Sequence, residues 1–128
     1  MGLLVGKRAP SFQCNAVMAD GTIEESFCFD DFSSGKYVVI FFYPLDFTFV
    51  CPSELIALDN AMDEFSARNI EVIAVSIDSQ FTHNAWRNTP VNDGGIGAVK
   101  YTMIADMNHS IVKAYGVEHP EAGVAFRG

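Results

Sequence analysis

The chain holds 128 residues, 49% of them apolar, 19% charged and 12% aromatic, which suits one globular domain across 1–128 rather than two. Eight Lys and Arg against sixteen Asp and Glu leave a formal net charge of -8, which repels phosphate backbones and anionic bilayers and excludes nucleic acid as a main partner. The longest apolar run, Tyr37 to Pro44, is strand-sized and far short of the roughly 20 residues that cross a bilayer, so no membrane association is expected.

Met1 to Pro10 places Lys7 and Arg8 after a short apolar segment, with no long apolar region and small-residue cleavage site behind them. It reads as an untargeted, cytoplasmic start. Cys14, after Phe12 and Gln13, falls in an edge segment, and Cys28 alternates with Phe27 and Phe29; both read as small packed hydrophobes. Lys36 to Tyr43 is a continuous apolar, β-branched and aromatic run. It predicts a central strand covered on both faces and stopped by Pro44. Pro52 to Arg68 predicts one amphipathic helix with Leu55, Leu58, Met62 and Phe65 on its apolar stripe. Pro52 suits the first helical position, Ser53 and Glu54 the positive first turn, and Arg68 the negative end.

Ile70 to Ile77 predicts a second strand and Ser79 to Arg87 a second helix; Asp93 to Gly97 is a loop and Tyr101 to Ile104 a shorter strand. Asn108 to Tyr115 predicts a last helix, capped by Asn108 and stopped by Gly116. Strand, helix and strand within about 40 residues form a βαβ unit with parallel strands, so the fold class is α/β.

Three cysteines at irregular spacings argue against a secreted disulfide framework, and three histidines without a C-x-x-C or H-x-x-x-H pair argue against a zinc site. Cys51 stands apart from the other two. It immediately precedes the proline that opens the helix, just past the carboxyl end of a strand, where α/β sheets hold their ligands. Unpaired N–H groups and the helix dipole there favour thiolate over thiol, so a lowered pKa is expected. Dithiol enzymes with this arrangement carry a second cysteine three residues on. Here that position is Glu54, so disulfide exchange within the motif is excluded.

Lowering a thiol from about 8.5 to about 6 raises the thiolate fraction roughly 30-fold at neutral pH, yet lost nucleophilicity returns about tenfold of that. A fast reaction therefore needs donors placed where charge develops on the leaving atom. Thr48 offers a hydroxyl and the helix mouth offers backbone N–H groups, while Pro44, Phe47 and Phe49 supply an apolar wall that excludes water. On its own, Thr48 fits either a substrate contact or a local turn bond.

The run Phe42 to Glu54 resembles the peroxiredoxins, whose pattern Pro-x-x-x-Thr/Ser-x-x-Cys is met by Pro44, Thr48 and Cys51. It is similar in particular to the typical two-cysteine, alkyl hydroperoxide reductase C-like branch. The likeness extends from Gly6–Pro10 through Asp78–His83 and Gly94–Gly97 to Gly123–Gly128. The resemblance implies a thioredoxin-like fold, with a central mixed sheet flanked by helices. It implies a peroxidase that reduces hydrogen peroxide and organic hydroperoxides without metal, haem or flavin of its own, in antioxidant defence and redox homeostasis.

In that reading Cys51 attacks the peroxide and becomes a sulfenic acid. Thr48 bonds the substrate, Pro44 shields the site, and Arg127 bonds peroxide and thiolate; on composition alone Arg127 would be a solvated charge. Glu54 matches a glutamate that orients the arginine, though a first-turn partner for the helix dipole fits it equally. Gly94–Gly97 resembles an element tied to overoxidation sensitivity, or serves plain turn geometry. Phe47, Phe81 and His83 match a contact that joins dimers into rings, or simple packing.

The implied reductant is thioredoxin or a flavoprotein disulfide reductase, and the implied assembly a homodimer or ring of dimers. The family's resolving cysteine has no counterpart at Cys14 or Cys28. The sequence is therefore read as a fragment lacking its C-terminal resolving segment, with an external thiol as the alternative. Two other readings stay open: a thiol–disulfide exchange protein and an oligomeric chaperone or scaffold.

Overall fold

The computed structural model describes residues 4–48 and 51–128, the side chain of Cys51 excepted. Five strands are joined by helices: β1 (Gln13–Val17), β2 (Ile23–Cys28), α1 (Phe29–Ser33), β3 (Tyr37–Phe42), α2 (Cys51–Asn60), α3 (Met62–Ala67), β4 (Ile70–Ser76), α4 (Gln80–Arg87), β5 (Thr102–Ala105) and α5 (Ser110–Ala114). The strand order is β2-β1-β5-β4-β3. β3, β4 and β5 run parallel, whereas β1 is antiparallel to both β5 and β2, so the sheet is mixed.

The period of two along β4 builds two cores. Val72 and Ala74 face a layer that holds Leu55 of α2, Met62 of α3 and Trp86 of α4. Ile73 and Val75 face the other layer, with Phe29 of α1 and Ile111 and Val112 of α5. Helices thus cover both faces, as expected of an α/β fold. The predicted βαβ unit is present, with β3 and β4 parallel in a register that pairs Tyr37 with Ile70 and Phe42 with Val75.

Five expectations are corrected. β3 is not central: it forms one margin of the sheet, with Tyr37 76% exposed. Nor is it covered on both faces along its length, since Val39 is exposed as well; an apolar run does not show which strand lies alongside it. Beyond it, Gly128 exchanges both backbone hydrogen bonds with Phe42, at 2.6 and 3.0 Å. Conversely, the segment of Cys14 is no edge, since β1 is paired on both sides.

The long helix is two. Its axis breaks at Ala61 (φ -94°, ψ 0°), after Asp59 and Asn60, both weak helix formers. The Asp59 carboxylate is drawn out of the helix to accept the Lys100 N–H at 2.6 Å. Because Leu55 and Met62 still face one core, the apolar stripe runs through the break. The first helix also opens at Cys51, one residue before Pro52. Finally, α5 starts at Ser110 rather than Asn108. Its first amides are held mainly by Asp106, whose two carboxylate oxygens accept from Ile111 at 3.0 Å and Val112 at 2.9 Å. Its end is as predicted: Gly116 has φ +72°, and the amides of Gly116 and Val117 return to Lys113 and Val112.

The loop after α4 is built by Gly95. A Cβ there would lie 1.9 Å from the carbonyl oxygen of Thr89, a backbone atom that cannot yield cheaply. Gly95→Ala is expected to destabilise the fold by about 2 kcal/mol, measured as a lowered urea midpoint at unchanged slope.

Candidate active site

Parallel β3 ends at Phe42, and the chain turns through Pro44 to Thr48 before α2 begins at Cys51. Cys51 is therefore the first residue of a ten-residue helix, at the carboxyl end of a parallel strand, as the sequence predicts. Its side chain, together with Phe49 of the proposed apolar wall, lies outside the described residues. Pro44 and Thr48 are both half-buried. One bond of the Thr48 hydroxyl is local, to the carbonyl of Leu45 at 3.4 Å, which is the turn contact considered from the sequence.

Arg127 and Glu54 meet although they stand 73 positions apart: Nη1 lies 2.6 Å from Oε2. Glu54 is the acidic residue of the first turn of α2, so the guanidinium is docked on the turn that Cys51 opens. The Gly128–Phe42 backbone pair fixes this approach by setting the residue after Arg127 against the end of β3. Both partners remain about one-third exposed, so the ion pair orients the arginine more than it stabilises the fold.

The segment from Pro44 to Thr48 is held from below. Asp46 is buried, and its N–H donates to Asp78 Oδ2 at 2.8 Å. Its carboxyl meets the Tyr43 hydroxyl at 2.5 Å and His83 Nδ1 at 2.6 Å. Phe47, at φ +57°, occupies the left-handed region and rests its ring 5.8 Å from Trp86. A non-glycine residue keeps that conformation only where its surroundings over-determine it.

Tyr43, Asp46 and Asp78 were not singled out as site residues from the sequence, and His83 was weighed only for a contact between dimers or for simple packing. The available signal was an acid between Leu45 and Phe47 and a histidine on the apolar side of α4; nothing in their spacing pairs them. The expectation for Phe47, Phe81 and His83 is accordingly corrected in part. Phe47 and Phe81 are exposed, but His83 is fully buried on Asp46 and is not available to a surface contact.

Cys14 and Cys28 carry free thiols. Burial, with a smaller contribution from Asp106, pushes the Cys14 thiol up to about 12. A cavity of about 170 Å³ includes Cys14, Asn15, Met107 and Ser110 in its lining, so it is served by a thiol held in its unreactive form. At pH 8 a pKa near 12 leaves a thiolate fraction of about 10⁻⁴, so Cys14 is expected to resist iodoacetamide while Cys51 alkylates readily. Peptide mass mapping after brief labelling checks this.

The model of the AhpC/TSA family matches residues 5–128. The chain is 45% identical over 124 residues to alkyl hydroperoxide reductase C of Buchnera aphidicola subsp. Schizaphis graminum, covering 97% of this chain and 63% of that protein. It is 50% identical over 124 residues to Peroxiredoxin-2 of Bos taurus, covering 97% and 61%. Among solved structures, reduced 2-Cys peroxiredoxin of Plasmodium vivax superimposes with a TM-score of 0.92 at 48% identity, over 98% of this chain and 64% of that one. The chain thus spans less than two-thirds of the length of these relatives.

The fold is therefore thioredoxin-like, a mixed sheet between helices, with a cysteine at the head of the helix that follows β3. The chain belongs to the AhpC/TSA family, and its relatives place it among the peroxiredoxins of the alkyl hydroperoxide reductase C and two-cysteine kind. No described helix is long and apolar enough to cross a membrane.

Proposed function

We propose that this chain carries the reaction centre of a thiol-dependent peroxidase acting on hydrogen peroxide and organic hydroperoxides. The observation that carries the reading is the docking of Arg127, through Glu54, on the first turn of the helix that Cys51 opens. The helix terminus and the guanidinium together favour an anionic sulfur. That thiolate attacks one oxygen of the O–O bond in line with the leaving oxygen. The sulfur–oxygen bond forms as the O–O bond breaks, the departing alkoxide or hydroxide takes a proton, and Cys51 is left as a sulfenic acid.

Thr48 bonds the substrate, Arg127 stabilises the charge that grows on the leaving oxygen, Pro44 screens the sulfur from water, and Glu54 orients the arginine. No metal or organic cofactor enters the scheme. A second thiol then condenses with the sulfenic acid, releasing water and leaving a disulfide for thioredoxin or a flavoprotein disulfide reductase to reduce. The relatives' names support the class of substrate, and the reading extends to a homodimer or ring of dimers in antioxidant defence, in the cytoplasm. Neither membrane nor nucleic acid has a part in it.

The test is stopped-flow oxidation of the protein by one equivalent of hydrogen peroxide, with the product trapped by dimedone and located by mass spectrometry. The adduct is expected on Cys51 alone. Rapid loss of peroxide with the adduct elsewhere would overturn the assignment.

A further inference from the structure

The segment that delivers Arg127 leaves α5 at Gly116, reverses and comes back, and one histidine closes the reversal with a ring nitrogen. The outgoing arm is anchored on α5, where the Val117 N–H donates to the Val112 carbonyl at 2.9 Å. The returning arm lies against it. The Phe126 N–H donates to the Val117 carbonyl at 2.6 Å, the His119 N–H to that of Val124 at 2.7 Å, and Glu118 and Ala125 form an antiparallel bridge. Arg127 follows at once, meeting Glu54 on the first turn of α2, and Gly128 pairs with Phe42.

Between the arms the chain runs His119-Pro120-Glu121-Ala122-Gly123. Pro120 presets its own φ for a turn and brings no N–H. Gly123, at φ +67°, donates its N–H to the His119 carbonyl at 3.0 Å. Two amides of the turn remain, those of Glu121 and Ala122, and both donate to His119 Nδ1, at 3.2 and 3.1 Å. One acceptor thus serves two donors. A backbone N–H only donates, so Nδ1 holds no hydrogen, and the neutral ring carries its hydrogen on Nε2. The same ring packs on Phe126, centre to centre 4.9 Å, directly before Arg127 in the chain.

The latch depends on the charge of the ring. Protonation sets a hydrogen on Nδ1, facing two donors, so both bonds are lost while the packing on Phe126 persists. The latch is therefore present with the neutral imidazole and lost as pH falls. His109, at the head of α5, answers acid in the opposite sense: its Nδ1 lies 2.7 Å from Glu118 Oε2, and a carboxylate holds a charged ring at least as well as a neutral one. Acid spares that contact. Of the other charged groups around the turn, Glu121 stands exposed on it, Lys113 lies in the last turn of α5, and Arg127 is engaged by Glu54.

We propose that His119 is a positioning residue: the acceptor on its neutral ring closes the turn that delivers Arg127 to Glu54, and uptake of a proton in mild acid opens that turn and slackens the arginine. This rests on the peroxidase reading of Cys51 for its effect on rate, but not for its effect on the turn.

The intact protein is followed in dilute solution from about pH 8 to about pH 5, the span across which imidazoles take up a proton. The readouts are the rate of Cys51 oxidation by hydrogen peroxide and, by mass spectrometry, amide hydrogen exchange in the peptide 117–128. His119→Asn is the discriminating variant. Its side-chain oxygen accepts from the amides two and three residues on, as in an Asx turn, and does not titrate. His119→Phe keeps a ring for Phe126 but has no acceptor. Comparing proteins at the same pH cancels both the protonation of Cys51 and the intrinsic pH dependence of exchange.

Near neutrality the parent and His119→Asn are expected to react at one rate, and His119→Phe about fivefold more slowly, the worth of one ordinary hydrogen bond. Toward the acid end the parent should fall about fivefold below His119→Asn, and its exchange should rise to that of His119→Phe. The proposal is overturned if the ratio of parent to His119→Asn stays constant with pH, or if His119→Phe matches the parent near neutrality. Should peroxide fail to oxidise Cys51, the peroxidase reading fails while the exchange comparison still decides whether His119 closes the turn.

Discussion

Cys51→Ser is expected to slow peroxide consumption by at least about 10⁴-fold, the scale on which enzymes lose rate when a covalent nucleophile is removed. A serine hydroxyl does not ionise near neutrality, so neither the helix terminus nor Arg127 could keep it anionic, and the first bond to peroxide oxygen would not form. Stability should barely move, since one small side chain replaces another at a helix start. Cys14→Ser and Cys28→Ser serve as controls, and their rates should match the parent's. A Cys51→Ser protein that consumed peroxide at the parent rate would end the proposal, and with it the roles given to Thr48 and Pro44.

Arg127→Gln is expected to lower the rate of Cys51 oxidation by about 10²- to 10³-fold, the usual loss when one placed donor to a developing anion is removed. Two losses combine: the cation that favours thiolate, and the forked donor that follows charge onto the leaving oxygen. Arg127→Lys separates them, because it keeps the charge without the planar fork and should fall between parent and glutamine variant. Folding stability should change by less than about 1 kcal/mol, since the Glu54 pair is partly exposed. A large kinetic effect at near-constant urea midpoint is therefore the signature of a role in chemistry. An unchanged rate would return Arg127 to the solvated surface charge that its position alone suggests.

The parallel core was legible because its strands are two long apolar runs, and the intervening stripe could belong only to a helix packed on them. The hairpin of β1 and β2 was missed although its signal is present. Asp20-Gly21 sits at the turn, with Gly21 at φ +91° and Asp20 accepting from Thr22, a pairing that favours hairpins. What could not be read was anything decided by a tertiary partner. Asp59 turns its carboxylate from α2 to the Lys100 amide, and β3 takes a marginal place because of its neighbours rather than its composition.

The site divides along the same line. Cys51 was visible because strand end, proline and helix are consecutive in the chain. Arg127 and Glu54 came only through resemblance, because contact across 73 positions leaves no trace in spacing. Asp46 came through neither, and His83 only as a contact between dimers or simple packing, since a buried acid and a buried imidazole each look anomalous until their partner is known.

The marginal place of β3 also bears on how the molecule behaves in concentrated solution. Its sequence, Tyr-Val-Val-Ile-Phe-Phe, has no charge, glycine or proline, the composition from which intermolecular ladders grow when such a strand borders a sheet. Eight excess negative charges oppose indiscriminate association of copies at pH 7. Mild acid, by titrating the surface carboxylates, would remove that protection while leaving the strand as adhesive as before, so the chain's colloidal weak point lies on the acidic side of neutrality.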